Sequence, residues 1–427
     1  MRPFQDQRGV ALPLALMVLV GLAGFLLVFV SMGGMDPAAS ANLSDTTSAR
    51  YVADAGLEWA YDQLIQLTAQ DPNANFRAVV NTILGPPNNG VMANGMLLPG
   101  LTATSGTFSV TVRNDNLAGD DQITGEPVDL VGGPTTDAND VVILTATGTF
   151  NGVTRQIQQV VAHVDMNVPG GLYLPGLGTN TAFSGNAFTV TGNDTNLNDT
   201  AGTCAPVWGI GVKDVATENN VQSSLSDPQK NNVTGKPQSA GPAWGDNTIA
   251  PEASLTPAQI AKFVKAVAPY ADIALQASAA NRLDYQNLGD TCATNPNDSN
   301  CWGTSSNPKV VYVKGTVDPG QAFYALSLSG TSAGAGILII EDGDLSVTGN
   351  FRWEGVILVT GQYAGLRYGG GGNQTVYGGV IVNETVNANS EVEVDAQGNA
   401  KILYSCEALN NVRKMRRLFR LASWREL

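Results

Sequence analysis

The chain has 427 residues, enough for two or three domains once an anchor is set aside. Charged residues make up only 14% and the net charge is −14, which argues against the basic footprint of a nucleic-acid binder. With 48 glycines and many Thr, Val, Asn and Ser, the composition reads as β-rich structure with frequent turns.

The first element is an uncharged run of 21 residues, Val10 to Val30, directly after Gln7-Arg8-Gly9. At about 1.5 Å rise per residue it spans roughly 30 Å, which predicts a transmembrane helix over 10–30. Arg2 and Arg8 in the short leader 1–9 favour a cytoplasmic N-terminus. Two fates compete for this run. A secretory signal would be cut behind it, near Ser31-Met32-Gly33-Gly34, and lost. A cut in front of it, after Gly9, would keep it.

Arg8-Gly9-Val10-Ala11-Leu12, the apolar run and the continuation Tyr51-Val52-Ala53-Asp54-Ala55-Gly56-Leu57-Glu58 together resemble the type IV pilin and pseudopilin families, most of all their PilX and GspK minor members. The resemblance covers the first 70 residues. It implies cleavage between Gly9 and Val10 by a prepilin peptidase, methylation of the new N-terminus, and a retained helix that docks among other pilins. It further implies a single-pass inner-membrane protein with a periplasmic C-terminal part, later moved to a pilus or the cell surface. Major members carry Glu at the fifth mature position, where this chain has Leu14. A charge without its partner in an apolar core is costly. A subunit lacking that carboxylate therefore suits filament initiation or the tip better than the repeating shaft. A plain membrane anchor is the alternative reading of Leu14.

Gly33-Gly34 and Asp36-Pro37 predict a weakened or interrupted helix. Helical periodicity resumes by Asn42, and Val52, Gly56, Trp59, Ala60, Leu64 and Leu67 share one face. Residues 31–70 thus read as an amphipathic continuation, ended by Asp71-Pro72-Asn73. Over 71–165 a small pilin-like α+β domain is expected, with three antiparallel strands. Phe108, Val110 and Val112 alternate with Thr and Ser, and Asn151-Gly152 joins two further strands as a hairpin turn. Asp115, Asp120 and Asp121, in the loop between the first two strands, are candidate Ca²⁺ ligands. A solvated turn is the competing account, since EF-hand spacing is absent.

Residues 166–306 read as loop-rich, with short strands near 187–190 and 207–212 and a helical insertion over 255–283 that starts at Ser254-Leu255-Thr256-Pro257. Residues 307–405 carry an internal repeat. Gly349–Val359 aligns without gaps on Gly372–Val382 at an offset of 23, and Gly336–Ile340 precedes Gly355–Val359 by 19. Periods near 20 with Gly before a β-branched run predict short parallel β-solenoid coils. Residues 406–427, rich in Arg, are expected to form a basic amphipathic helix. The fold class is therefore α+β joined to all-β: a transmembrane pilin helix, a small antiparallel domain, then a β-rich domain with solenoid coils.

Four cysteines, Cys204, Cys292, Cys301 and Cys406, lie beyond the predicted span, where disulfides can form. Cys292 and Cys301 bracket a turn-forming stretch, which would leave Cys204 and Cys406 as the other pair. Three connectivities remain open. The only histidine is His163, and Gly369–Gly372 lacks the Lys-Ser/Thr of a phosphate loop, so it reads as a corner. Acidic groupings such as Glu341, Asp342 and Asp344, or Glu391 and Glu393, are what a glycosidase reading would use, but they stand in turn-like contexts. No cofactor is called for beyond the possible Ca²⁺. The chain reads as a structural, non-enzymatic subunit whose partners are other pilins, the prepilin peptidase and the inner membrane, with no nucleic acid. The alternatives are a membrane-anchored carbohydrate-binding or carbohydrate-cleaving β-helix protein and a type II secretion minor pseudopilin.

Overall fold

The computed structural model describes residues 11–97, 106–177, 179–237, 248–316, 324–369, 371–386 and 392–427, with side chains of the first helix described at 16–27 and from 39 onward. Contacts divide the chain into two compact units. One comprises residues up to 63 with 80–161 and 421–427, the other 64–79 with 162–420.

The first unit is built on helix α1 (Ala11–Gln70) and a five-stranded sheet. Its order is β1 (Val91–Met96), β2 (Thr107–Asn114), β3 (Val141–Phe150), β4 (Val153–His163), then the C-terminal strand Phe419–Glu426. β1 with β2 and β2 with β3 pair antiparallel. In β2, Phe108, Val110 and Val112 are buried while Thr111 is exposed, the alternation of a sheet with one covered face. The helix meets this sheet through small residues. A Cβ on Gly148 would lie 2.2 Å from the Ala49 carbonyl oxygen, and one on Gly56 would lie 2.9 Å from the Phe108 ring. Asn151 and Gly152 both have positive φ, +47° and +80°, as a two-residue type I′ hairpin requires.

In the second unit successive strands alternate between two parallel sheets, and each pairs with the strand one turn earlier. Thr331–Glu341, Asn350–Gly361 and Asn373–Glu384 are neighbours in the larger sheet. Tyr324–Ser329, Asp344–Thr348, Leu366–Gly369 and Val394–Gln397 are neighbours in the smaller one. The sequence repeat is the ladder register: Gly336 pairs with Gly355 and Gly355 with Gly378, at the offsets of 19 and 23. Val310 falls opposite Ile337, one coil earlier.

Both faces of the larger sheet are covered, which explains its unbroken apolar runs. Ile357 and Val359 point into a core shared with Leu345, Val347, Leu366 and Val394 of the smaller sheet. Val356 and Leu358 point the other way, onto Ile260 and Phe263 of helix Pro257–Val267 and Leu409 and Val412 of helix Cys406–Arg413. The glycine column 336, 355 and 378 has φ of +121°, +137° and +129°. A Cβ on Gly355 would sit 2.1 Å from the Gly336 carbonyl oxygen, and one on Gly378 would sit 2.0 Å from that of Gly355. The ladder divides at this column: Asn373–Gly378 continues into Asn399–Tyr404, while Val380 and Ile381 continue into Leu172 and Tyr173.

Three expectations are corrected and one is extended. Helix α1 runs unbroken through Pro37, because its interruption signals fall inside a helix 60 residues long whose neighbouring turns carry it. Within the loop-rich stretch 166–306 the strand read near 207–212 is Trp208–Val212, while its neighbours in the larger sheet, Gly170–Leu174 and Ile249–Pro251, are each too short to announce themselves without their ladder. The helical insertion ends at Val267, and Ile273–Gln276 and Leu283–Gln286 are parallel strands, so 271–283 extends the coils. The basic C-terminal helix stops at Arg413, and Phe419–Glu426 joins the first sheet, where the Leu427 N–H donates to the Gln156 carbonyl. An available sheet edge outweighed helix periodicity there.

Candidate functional site: the apolar helix surface and an acidic cavity

Five consecutive positions of α1, Leu16 to Val20, step round the helix by about 100° each and so sample every face. All five are exposed, as are Leu22, Phe25, Leu26 and Leu27; Leu19 is 69% exposed and Leu27 72%. No polar side chain interrupts 16–27. Farther along, the helix does have a buried face, formed in the first unit by Ala49, Val52, Ala53, Leu57 and Ala60. Among the described residues no helix is long and apolar enough to cross a membrane. The described apolar side chains cover 16–27, against the roughly 20 residues a span needs. Gly9 and Val10, the processing pair, lie outside the described residues.

The three candidate calcium ligands do not converge. Arg113 donates two hydrogen bonds to Asp120, at 2.6 and 2.7 Å, and this guanidinium holds the carboxyl below its ordinary pKa. Asp115 is buried and accepts from Asn139 at 3.0 Å, and burial pushes its pKa up. Asp121 opens the short helix Asp121–Thr124 and is exposed. An arginine pairs with the central carboxylate, and Asp and Asn side chains order the loop. Asp129 is its hub, accepting from the N–H groups of Val131, Gly132 and Ala138.

The cysteines pair as Cys292 with Cys301 and Cys204 with Cys406, closing sequence separations of 9 and 202. Among the described residues, the one place where three ligand-type side chains gather within 4.8 Å is Asp194, Cys204 and Cys406. Two of these are consumed by the disulfide. His163 is buried against Phe76 and Phe419, with ring centroids 5.1 and 4.6 Å away, a packing role.

The acidic groupings divide. Glu341 and Asp342 both pair with Lys314 at 2.8 Å. Glu391 lies outside the described residues. Asp344 and Glu393 line a cavity of about 230 Å³ together with Tyr324, Arg367, Glu384 and Asp395. Arg367 donates to the Tyr324 hydroxyl at 3.0 Å and lies 3.4 Å from Asp395. The lining is acidic, four carboxylates beside one guanidinium and one phenol, with Glu393 accepting the Asn180 N–H and Asp395 the Gln397 amide. Sequence reading missed Arg367, Glu384 and Asp395, because they come from different coils. The ladder register that places Arg367 beside Asp395 was the only signal able to join them. Gly369 and Gly372 flank a corner, where a Cβ on Gly372 would lie 2.4 Å from the Gly349 carbonyl oxygen.

No family model matches the chain, and no curated protein matches it. Among solved structures, the competence-associated pilin ComZ from Thermus thermophilus aligns over 90% of this chain and 97% of that one, at 11% identity and a TM-score of 0.25. A likeness this slight carries no argument about function.

Proposed function

We propose that this chain is a structural, pilin-like subunit of a type IV pilus or related filament, held in the inner membrane by its N-terminal helix before assembly. The observation that carries this reading is the stretch 16–27, which exposes aliphatic and aromatic side chains on every face. Such a surface is stable only against lipid or against sibling helices. Cleavage after Gly9 would leave Val10 as the new terminus and keep this surface in the mature molecule. The second half of the same helix has a buried face of small residues, which supports a division between an inserted half and a half that carries a folded unit. Leu14 in place of a carboxylate fits a role in initiation or at the tip, with the unit of coiled parallel sheets, read as a short β-solenoid, turned to the outside. The cavity and the coil surface are then the parts that meet a partner.

N-terminal sequencing of the mature protein from its native host tests this. The expected start is Val10, with a methylated α-amino group. A start at Met1, or near residue 34 with the apolar run gone, would overturn the reading. If Val10 is found, a deletion strain assigns the filament: loss of twitching points to a pilus, loss of secretion to a pseudopilus.

A further inference from the structure

One carboxylate touches both partners of the long-range disulfide. Asp194, nine-tenths buried, accepts the Cys204 N–H on Oδ2 and the Cys406 N–H on Oδ1, each at 2.9 Å. Its surroundings are built to hold it there. A Cβ on Gly202 would lie 2.0 Å from Asp194 Oδ2, so only glycine leaves room, and the Gly202 N–H donates to the Asp194 carbonyl. The neighbouring Thr195 N–H donates to the Tyr404 carbonyl at 2.9 Å, tying the turn to the strand that leads into helix Cys406–Arg413. Cys406 stands at the first position of that helix, whose cap Ser405 accepts from Ala408. None of these contacts involves sulfur.

We propose that Asp194 is a positioning residue for the Cys204–Cys406 bond. Its two oxygens grip both cysteine backbones, so the sulfurs are placed by the fold before any bond exists. The bond then closes in the folded protein and can open and re-form without unfolding. The chemistry is thiol–disulfide exchange with a disulfide oxidant such as oxidised glutathione. One thiolate attacks it, releasing one glutathione thiol. The second thiolate attacks the resulting mixed disulfide, releasing another. Two protein thiols lose two protons and two electrons, one S–S bond breaks in glutathione, and one forms in the protein. Cys204 is partly exposed and can receive the oxidant first, whereas Cys406 is buried and resolves the mixed disulfide. The Cys292–Cys301 pair closes only nine positions of sequence, and its two N–H groups donate to separate backbone carbonyls, those of Gly289 and Asp298, so it serves as an internal control.

The test uses the full chain, reduced under native conditions, freed of reductant and given oxidised glutathione. Each pair is followed by alkylation and mass spectrometry. Asp194→Ala is expected to slow closure of Cys204–Cys406 at least tenfold, with Asp194→Asn in between and Cys292–Cys301 unchanged in all three proteins. Equal closure rates for Asp194→Ala and wild type would overturn the proposal. Should Asp194→Ala not fold, hydrogen exchange on Cys204→Ser decides: the amides of residues 204 and 406 are expected to stay protected without the bond, and exchange at open-loop rates would overturn the proposal.

Discussion

The two units solve the same problem, how to bury a sheet, in opposite ways. Along β2 of the antiparallel unit one face is covered and polar residues alternate with apolar ones, so every second position faces outward and is more forgiving. In the coiled unit both faces of the larger sheet are covered and each strand rests on the previous turn, so nearly every position of Gly355–Val359 is constrained. The lesson is that tolerance to substitution follows the number of covered faces rather than the distance from a site.

The sharpest way to break this comparison is Gly355→Ala. Positive φ and a methyl 2.1 Å from the Gly336 carbonyl oxygen combine strain with overpacking, and the expected loss is about 4 kcal/mol. Denaturant unfolding read by peptide-resolved hydrogen exchange should show the loss in 162–420; a variant within about 1 kcal/mol of wild type would mean the column can move aside. Asp120→Asn in the antiparallel unit is expected to cost less, about 2 kcal/mol near neutral pH, for the lost charged pair with Arg113. Its pH dependence has a definite sign. The folded pKa of Asp120 lies below its ordinary value of 3.8, so its contribution is present above that value and is lost as pH falls through the folded one. The difference between wild type and variant should therefore shrink on acidification, and a difference that is flat down to the acid transition would exclude the ion pair as its cause. Asn151→Ala is expected to be the mildest, about 1 kcal/mol, because Asn tolerates the left-handed turn better than Ala and also donates to Asp45. Melting temperature alone suffices to check it.

Much of the coil was legible because equivalent residues occupy equivalent places. The glycines and the β-branched runs that align in sequence are ladder partners in space. The hairpin at Asn151-Gly152 was legible for a local reason, since turn chemistry needs no tertiary help. What escaped notice depends on partners distant in sequence. Leu172 becomes a strand residue because Val380 lies beside it, and Phe419–Glu426 because the first sheet had an edge to offer. Asp194 was invisible for the same reason: its meaning lies in two amides 10 and 212 residues away. In the acidic loop, counting carboxylates left out Arg113, which lies just upstream and takes the central one.

The glycine column has an architectural corollary. Because Gly355 stacks on Gly336 and Gly378 on Gly355, any segment cut from one column position to the next is a self-contained turn with matching ends. Duplicating residues 355–377 should splice in one whole extra storey, whereas an insertion of arbitrary length there would throw every later rung out of step. The height of this tower can therefore grow or shrink only by whole floors.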